Sequence, residues 1–143
     1  MIQRALLTLA AAVLVATIAG CDRLGPFGGG PDRAALARKA VETYWYFIGH
    51  GQVNQAYDMM TSGNRRLQKR QDYDQNMFGF VTSMAGVSVK TSPASVNGDL
   101  ATVPVRLYSP KAPGASLKAY QHLFWEDGQW HISDDHGGLS RHA

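Results

Sequence analysis

The apolar residues of this chain change period once, at Gly86, and that change restricts the fold more than any other feature. Before it they recur at steps of three and four, the face of a 3.6-residue helix. After it they recur at every second position, the mark of a strand with one buried face. Leu36, Ala40, Tyr44, Phe47 and Ile48 predict a first helix, opened by Pro31-Asp32 as N-cap and stopped at Gly49-His50-Gly51. Val53, Ala56, Tyr57 and Met60 predict a shorter one, broken by Thr61-Ser62-Gly63-Asn64. A third helical stretch runs from Arg65 to Met84, with Leu67, Tyr73 or Asp74, Met77, Phe78, Val81 and Met84 near one side.

In the second half Val87 and Val89 alternate with Ser88 and Lys90, and Val103, Val105 and Leu107 alternate with Thr102, Pro104 and Arg106. Leu117, Ala119, Gln121, Leu123 and Trp125 alternate with Lys118, Tyr120, His122 and Phe124. Asn97-Gly98 and Asp127-Gly128 are hairpin-turn dipeptides, since both tolerate the left-handed conformation that tight turns need. Pro104 has no amide hydrogen, which places it on an edge strand or at an outward-facing position. The 143 residues, 45% of them apolar, hold one domain. Helices first and strands later predict an α+β fold, with the N-terminal helices packed on a curved antiparallel sheet of about four strands.

The N-terminus reads as an address. Arg4 precedes a continuous apolar run from Ala5 to Ala19, interrupted only by Thr8 and Thr17. As a helix that run spans roughly 22 Å, short of the roughly 30 Å hydrocarbon core, so a processed signal fits it better than a permanent span. Ile18-Ala19-Gly20-Cys21 resembles the bacterial lipobox. The resemblance implies cleavage after residue 20, acylation of Cys21 and anchoring of the mature protein to a bilayer that it does not span. Asp22 resembles the residue that retains such proteins in the inner membrane of enteric bacteria, so the periplasmic side of the inner membrane is expected. An ordinary signal peptide with a chance cysteine is the alternative.

From Asp22 to Pro31 the chain is DRLGPFGGGP, too rich in Gly and Pro for a packed element and about 35 Å long when extended. We therefore divide the sequence into a leader at 1–20, a lipidated cysteine and tether at 21–31, a domain at 32–136 and an unstructured tail at 137–143. Cys21 is the sole cysteine, which excludes an internal disulfide or a multi-cysteine metal site. The net charge of +3 includes Arg4 of the leader and is spread along the chain, so it is no nucleic-acid signature.

Within the domain the order of the motifs resembles the nuclear transport factor 2-like superfamily, also called cystatin-like, and within it the bacterial lipoprotein domains of the DUF4878 kind. The resemblance rests on the helix Ala35 to Ile48 ending at Gly51-Gln52, on Ala56-Tyr57, on Val96-Asn97-Gly98-Asp99-Leu100-Ala101-Thr102-Val103, and on Trp125-Glu126-Asp127-Gly128-Gln129-Trp130-His131-Ile132. It implies a cone of helices and curved sheet around a pocket. Enzymes of that superfamily place an Asp or His in the cone as a proton-transfer group.

Three residues are candidates for such chemistry. Asp58 adjoins Tyr57 but lies off the apolar face of its helix. His50 sits in a Gly-His-Gly stop, where it caps carbonyls or faces solvent. His122 shares a strand face with Tyr120 and Phe124, which lines either a cavity or partner interface or the outer side of the sheet. His131, Asp134, Asp135 and His136 converge poorly on a strand, so no metal or other cofactor is expected. Trp45 and Tyr46 extend the aromatic run Tyr44 to Phe47 around the first helix, so one ring falls off the core face, toward a sheet edge, a ligand or a second subunit. Arg65, Arg66, Lys69 and Arg70 form a basic stripe if they share one helix, suited to anionic headgroups or an acidic partner, or else simply solvated. The residues together point to a non-catalytic binding or accessory module of the cell envelope, with a protein partner, a small apolar ligand or a second copy as its target. A small isomerase- or dehydratase-like enzyme using His122 or Asp58 is the alternative.

Overall fold

A computed structural model describes residues 32–133 and the backbone of residues 139–140. The leader, Cys21, Asp22 and the tether lie outside the described residues, as do Asp134, Asp135, His136 and the side chains of Phe78, Phe80 and Val81. Among the described residues no helix is long and apolar enough to cross a membrane.

Helix α1 spans Arg33–Gly49, and the Asp32 carboxylate caps it by accepting the amides of Ala34 and Ala35 at 3.0 and 3.2 Å. Its buried face is Ala37, Val41, Tyr44, Trp45 and Ile48, turned by about one residue from the face expected. Leu36 is 38% exposed while Trp45 is 1% exposed and packs edge-on against Tyr44 at 5.7 Å. Both faces share Tyr44 and Ile48. The one that buries the indole removes more apolar area from water, so it wins over the one that buries Leu36.

Helix α2 is Val53–Asp58, α3 is Ser62–Leu67 and α4 is Arg70–Met84. The single helix expected from Arg65 to Met84 is thus two, separated by Gln68 and Lys69 in extended conformation. The Tyr57 hydroxyl lies 3.1 Å from the Arg65 carbonyl and 2.9 Å from that of Gln68, taking up acceptors that a continuing helix would use. Leu67, assigned to the core by spacing, is left 91% exposed. Tyr73 and Met77 carry the buried side of α4.

The sheet is antiparallel, with strands β1 (Ser88–Thr91), β2 (Ser95–Asn97), β3 (Leu100–Tyr108), β4 (Leu117–Glu126), β5 (Gln129–Ile132) and β6 (Leu139–Ser140). The order β1-β3-β4-β5 makes a curled four-stranded half-barrel. β2 continues the β1 edge along β3, and β6 pairs with β4 at Tyr120 and Gln121. Of the 137–143 segment only residues 139–140 are described, and they form β6. Ala101, Val103, Val105 and Leu107 of β3 and Ala119, Gln121 and Leu123 of β4 face inward into the core, and α1 packs against β1, β3 and β5.

Pro104 faces outward as expected, yet on a central strand. Its carbonyl accepts the Ser92 amide at 2.9 Å, so its amide side also points to the β1/β2 edge, at the break between those two strands. The donor it lacks is the second bond of the Ser92–Pro104 pair, just past the end of β1, where Ser92 is exposed. Beyond β5 the Met59–Thr61 link closes the other edge, donating the Thr61 amide to the Ile132 carbonyl at 2.9 Å and accepting the Ile132 amide at Met59 at 2.8 Å. His131 Nδ1 sits 3.1 Å from the Met60 carbonyl, which only accepts, so that nitrogen carries the proton.

Candidate functional site: a cleft at the cone mouth

Where β3 ends and β4 begins, the cone opens. The sequence there, Ser109-Pro110-Lys111-Ala112-Pro113-Gly114-Ala115-Ser116, is unsuited to a strand, and its small side chains leave room. Lys111 ties this loop to the C-terminal end of α4, its Nζ donating to the Thr82 carbonyl at 2.7 Å. The result is a cleft of about 280 Å³ lined by Met84 of α4, Val87, Leu107 of β3, Leu117 of β4, and Ala112, Ala115, Ser109 and Ser116 of the loop. It sits near the small end of the usual range for ligand sites, roughly 300 to 1,000 Å³. The walls are apolar apart from two serine hydroxyls, so the cleft suits the apolar body of a small ligand and offers hydrogen bonds to one polar end.

The residues singled out from sequence lie elsewhere. Trp45 is buried in the core and reaches no surface. Tyr46, next to it, is 54% exposed and stacks on His50 at 4.0 Å. His50 is exposed and donates from Nδ1 to the Tyr46 carbonyl at 2.8 Å, closing the last turn of α1. Asp58 is exposed on the helical side and paired with Arg70, whose guanidinium lies 4.7 Å over the Tyr57 ring. Tyr120, His122 and Phe124 point to the opposite side of the sheet, away from α1 and the core. His122 there is half-buried beside its cross-strand neighbour Thr102, Nδ1 to Oγ1 3.2 Å. Asp58 and His122 are thus not brought together, and neither lines the cleft. The basic stripe is split: Arg65 and Arg66 belong to α3, whereas Lys69 caps α4 and Arg70 begins it. Among the described residues no group of three or more His, Cys, Asp or Glu is placed to hold a metal ion.

Sequence reasoning missed the cleft because its loop shows neither period. The one legible signal was negative, a run of small residues with two prolines and a glycine between two strongly alternating segments.

A further cluster pins the far end of the cone. Arg33 lies over Trp125 and Trp130 at 4.3 and 4.8 Å and reaches Asp99 at 3.2 Å, while Trp130 Nε1 donates to the Arg33 carbonyl at 2.8 Å. The tryptophan after the last hairpin glycine therefore holds the start of α1.

Among the solved structures that share this architecture are two of low identity. One is a Campylobacter jejuni protein provisionally described as a nuclear transport factor 2-like transpeptidase, 12% identical, with a TM-score of 0.53 over 66% of this chain and 94% of that one. The other is a Nostoc punctiforme protein of unknown function with a cystatin-like fold, 11% identical, with a TM-score of 0.52 over 76% of this chain and 91% of that one. No family model matches the chain, and no curated protein matches it. At such identities the likeness is one of fold: the domain has the nuclear transport factor 2-like, or cystatin-like, fold.

Proposed function

We propose that this chain is a lipid-anchored protein of the bacterial envelope, of the lipoprotein type that its motif order resembles. In this reading it works as a non-catalytic binding module that takes a small apolar ligand at the cone mouth. The observation that carries the binding role is the cleft between Met84, Leu107, Ala115 and Leu117, with no titratable side chain among its described walls. Apolar walls and two hydroxyls supply burial and orientation, the elements of ligand capture, and supply no acid or base. Support for the anchor is Ile18-Ala19-Gly20-Cys21 followed by the Gly- and Pro-rich tether, and support for the inner membrane is Asp22.

Ala115→Trp, which fills the cleft, should abolish binding of the fluorescent apolar probe anilinonaphthalene sulfonate while leaving the unfolding midpoint unchanged. Equal probe binding by both proteins overturns the assignment of the cleft. For the anchor, Cys21→Ser should end labelling by radioactive fatty acid; undiminished label on the variant refutes acylation at that residue. Envelope fractionation of the native host should place the protein with inner-membrane markers, and recovery with the outer membrane overturns the role given to Asp22.

A further inference from the structure

The outward face of the sheet carries a row of three cations. Lys90 on β1 stands directly opposite Arg106 on β3, and Arg106 stands directly opposite Lys118 on β4. Like charges in directly opposed positions destabilise a sheet, so the row has a cost that an anionic counterpart removes. Arg106 donates to Ser116 Oγ at 3.1 Å, and the Lys90 ammonium lies 5.5 Å from the Tyr108 ring. Among the described residues none of the three is held in an ion pair. A shallow hollow of about 380 Å³ runs between them, floored by Pro104, Tyr108 and Tyr120.

About 20 Å along the same face, six residues at about 3.3 Å each, the polarity changes. Leu100 and Phe124 are cross-strand partners there and stand 40% and 43% exposed. The outward positions of β1, β3 and β4 contain no carboxylate before Glu126, whose Oε2 is held by the Ser62 amide at 2.9 Å. Asp99, next to Leu100, is paired with Arg33. The pairing also fixes where the N-terminal segment leaves the domain: at residue 32, beside the apolar end of this face.

We propose that the outward sheet face rests on an anionic bilayer, with Leu100 and Phe124 entering the headgroup boundary and Lys90, Arg106 and Lys118 lying against lipid phosphates. Two features favour a bilayer over a soluble anion. The face pairs cations with exposed apolar side chains, as surface-seated membrane elements do. The residue 22–31 segment, at most about 35 Å long, joins the domain at the apolar end, so an anchored chain is held within reach of the surface. This surface would orient the protein whose anchoring is proposed above, and it is tested without the anchor.

The chain from Asp22 onward retains the whole core, Ala37 to Ile132, and lacks the acylated cysteine. In co-sedimentation it should bind vesicles rich in phosphatidylglycerol and not vesicles of phosphatidylcholine, with binding lost in molar salt, where the screening length falls to about 3 Å. The triple variant Lys90→Glu, Arg106→Glu, Lys118→Glu keeps the like-charge row and so should keep its stability. It should bind at least on the order of a hundredfold more weakly, from about fivefold for each cation removed. Should that variant fail to fold, the corresponding glutamine variant tests the same point. Leu100→Ser with Phe124→Ser should weaken binding to the same vesicles without changing the slope of its salt dependence. Equal binding to both vesicle types, unchanged binding by the charge variants, or retention of inorganic phosphate with no vesicle binding each overturns the proposal. None of these outcomes bears on acylation, which the Cys21→Ser labelling decides alone.

Discussion

A Cβ placed on Gly49 would sit 2.7 Å from the carbonyl oxygen of Val87 and 3.4 Å from its Cγ1, while Gly49 itself accepts the Gly86 amide at 2.9 Å. The last turn of α1 and the segment entering β1 approach that closely because Gly49 has no side chain to hold them apart. Gly79, inside α4, has nothing within 4 Å of the corresponding position. The same substitution should therefore have opposite signs. Gly49→Ala gains helix propensity of about 1 kcal/mol but forces backbone apart, for a net loss of about 1 to 2 kcal/mol. Gly79→Ala gains the propensity without a clash and should stabilise by up to about 1 kcal/mol. Urea denaturation of the two variants checks both signs, and a stabilising Gly49→Ala would mean the contact with Val87 does not constrain the chain. From sequence Gly49 and Gly51 looked alike, as two glycines of one helix stop. Only Gly51 takes a positive φ, +70°, whereas the demand on Gly49 comes from a strand far along the chain.

Strand β3 bears a proline at its centre because backbone polarity alternates along an extended chain. Pro104 turns its amide side to the gap between β1 and β2, so its neighbour Val103 turns its amide to β4, opposite Gln121. Pro104→Val should change stability by less than about 1 kcal/mol, since the amide it adds faces exposed Ser92 past the end of β1 and not a carbonyl inside the sheet. Val103→Pro should cost about 1 to 3 kcal/mol or more, because it leaves a β4 carbonyl without its donor inside the sheet. Thermal unfolding of the pair measures the contrast, and equal losses would refute this account of the ladder. Elements were legible where one period ran without competition: β3 and β4 appear where alternation put them. The hairpin at Asp127-Gly128 has positive φ at both residues, 51° and 80°. At the other hairpin Asn97 pairs with Leu100, so the turn centres on Gly98-Asp99, one residue beyond the dipeptide read from sequence. The break between α3 and α4 was not legible, since Gln68 and Lys69 are ordinary helix formers and a tyrosine hydroxyl from α2 supplies the reason to stop.

At the scale of the molecule the change of period at Gly86 fixed the class, helices on one side and a curled sheet on the other. The apolar cleft stayed hidden because its loop has no period, and the cation row because it depends on register, which alternation alone does not set. Register also determines where the folding unit begins. The core runs from Ala37 to Ile132, and its N-terminal boundary is held by residues just ahead of it: the Asp32 cap, the Arg33 contacts with Asp99, Trp125 and Trp130, and the Trp130 bond to the Arg33 carbonyl. A chain beginning at Asp32 keeps all of them. It should unfold in one transition, with the same midpoint and the same denaturant slope as the chain beginning at Asp22, since the slope follows the area exposed on unfolding. A chain beginning at Ala37 loses the cap, about 1 kcal/mol, the stacked cation, about 0.5 to 1 kcal/mol, and the partner of the indole, about 1 kcal/mol. Its stability should fall by about 2.5 to 3 kcal/mol, lowering the midpoint by roughly 10 to 24 °C in a domain of this size. Equal stability of the Ala37 chain would show that the Arg33 cluster is ornamental. A loss on removing residues 22–31 would show that the tether packs against the domain, which would end the reading of that segment as a free spacer between bilayer and fold.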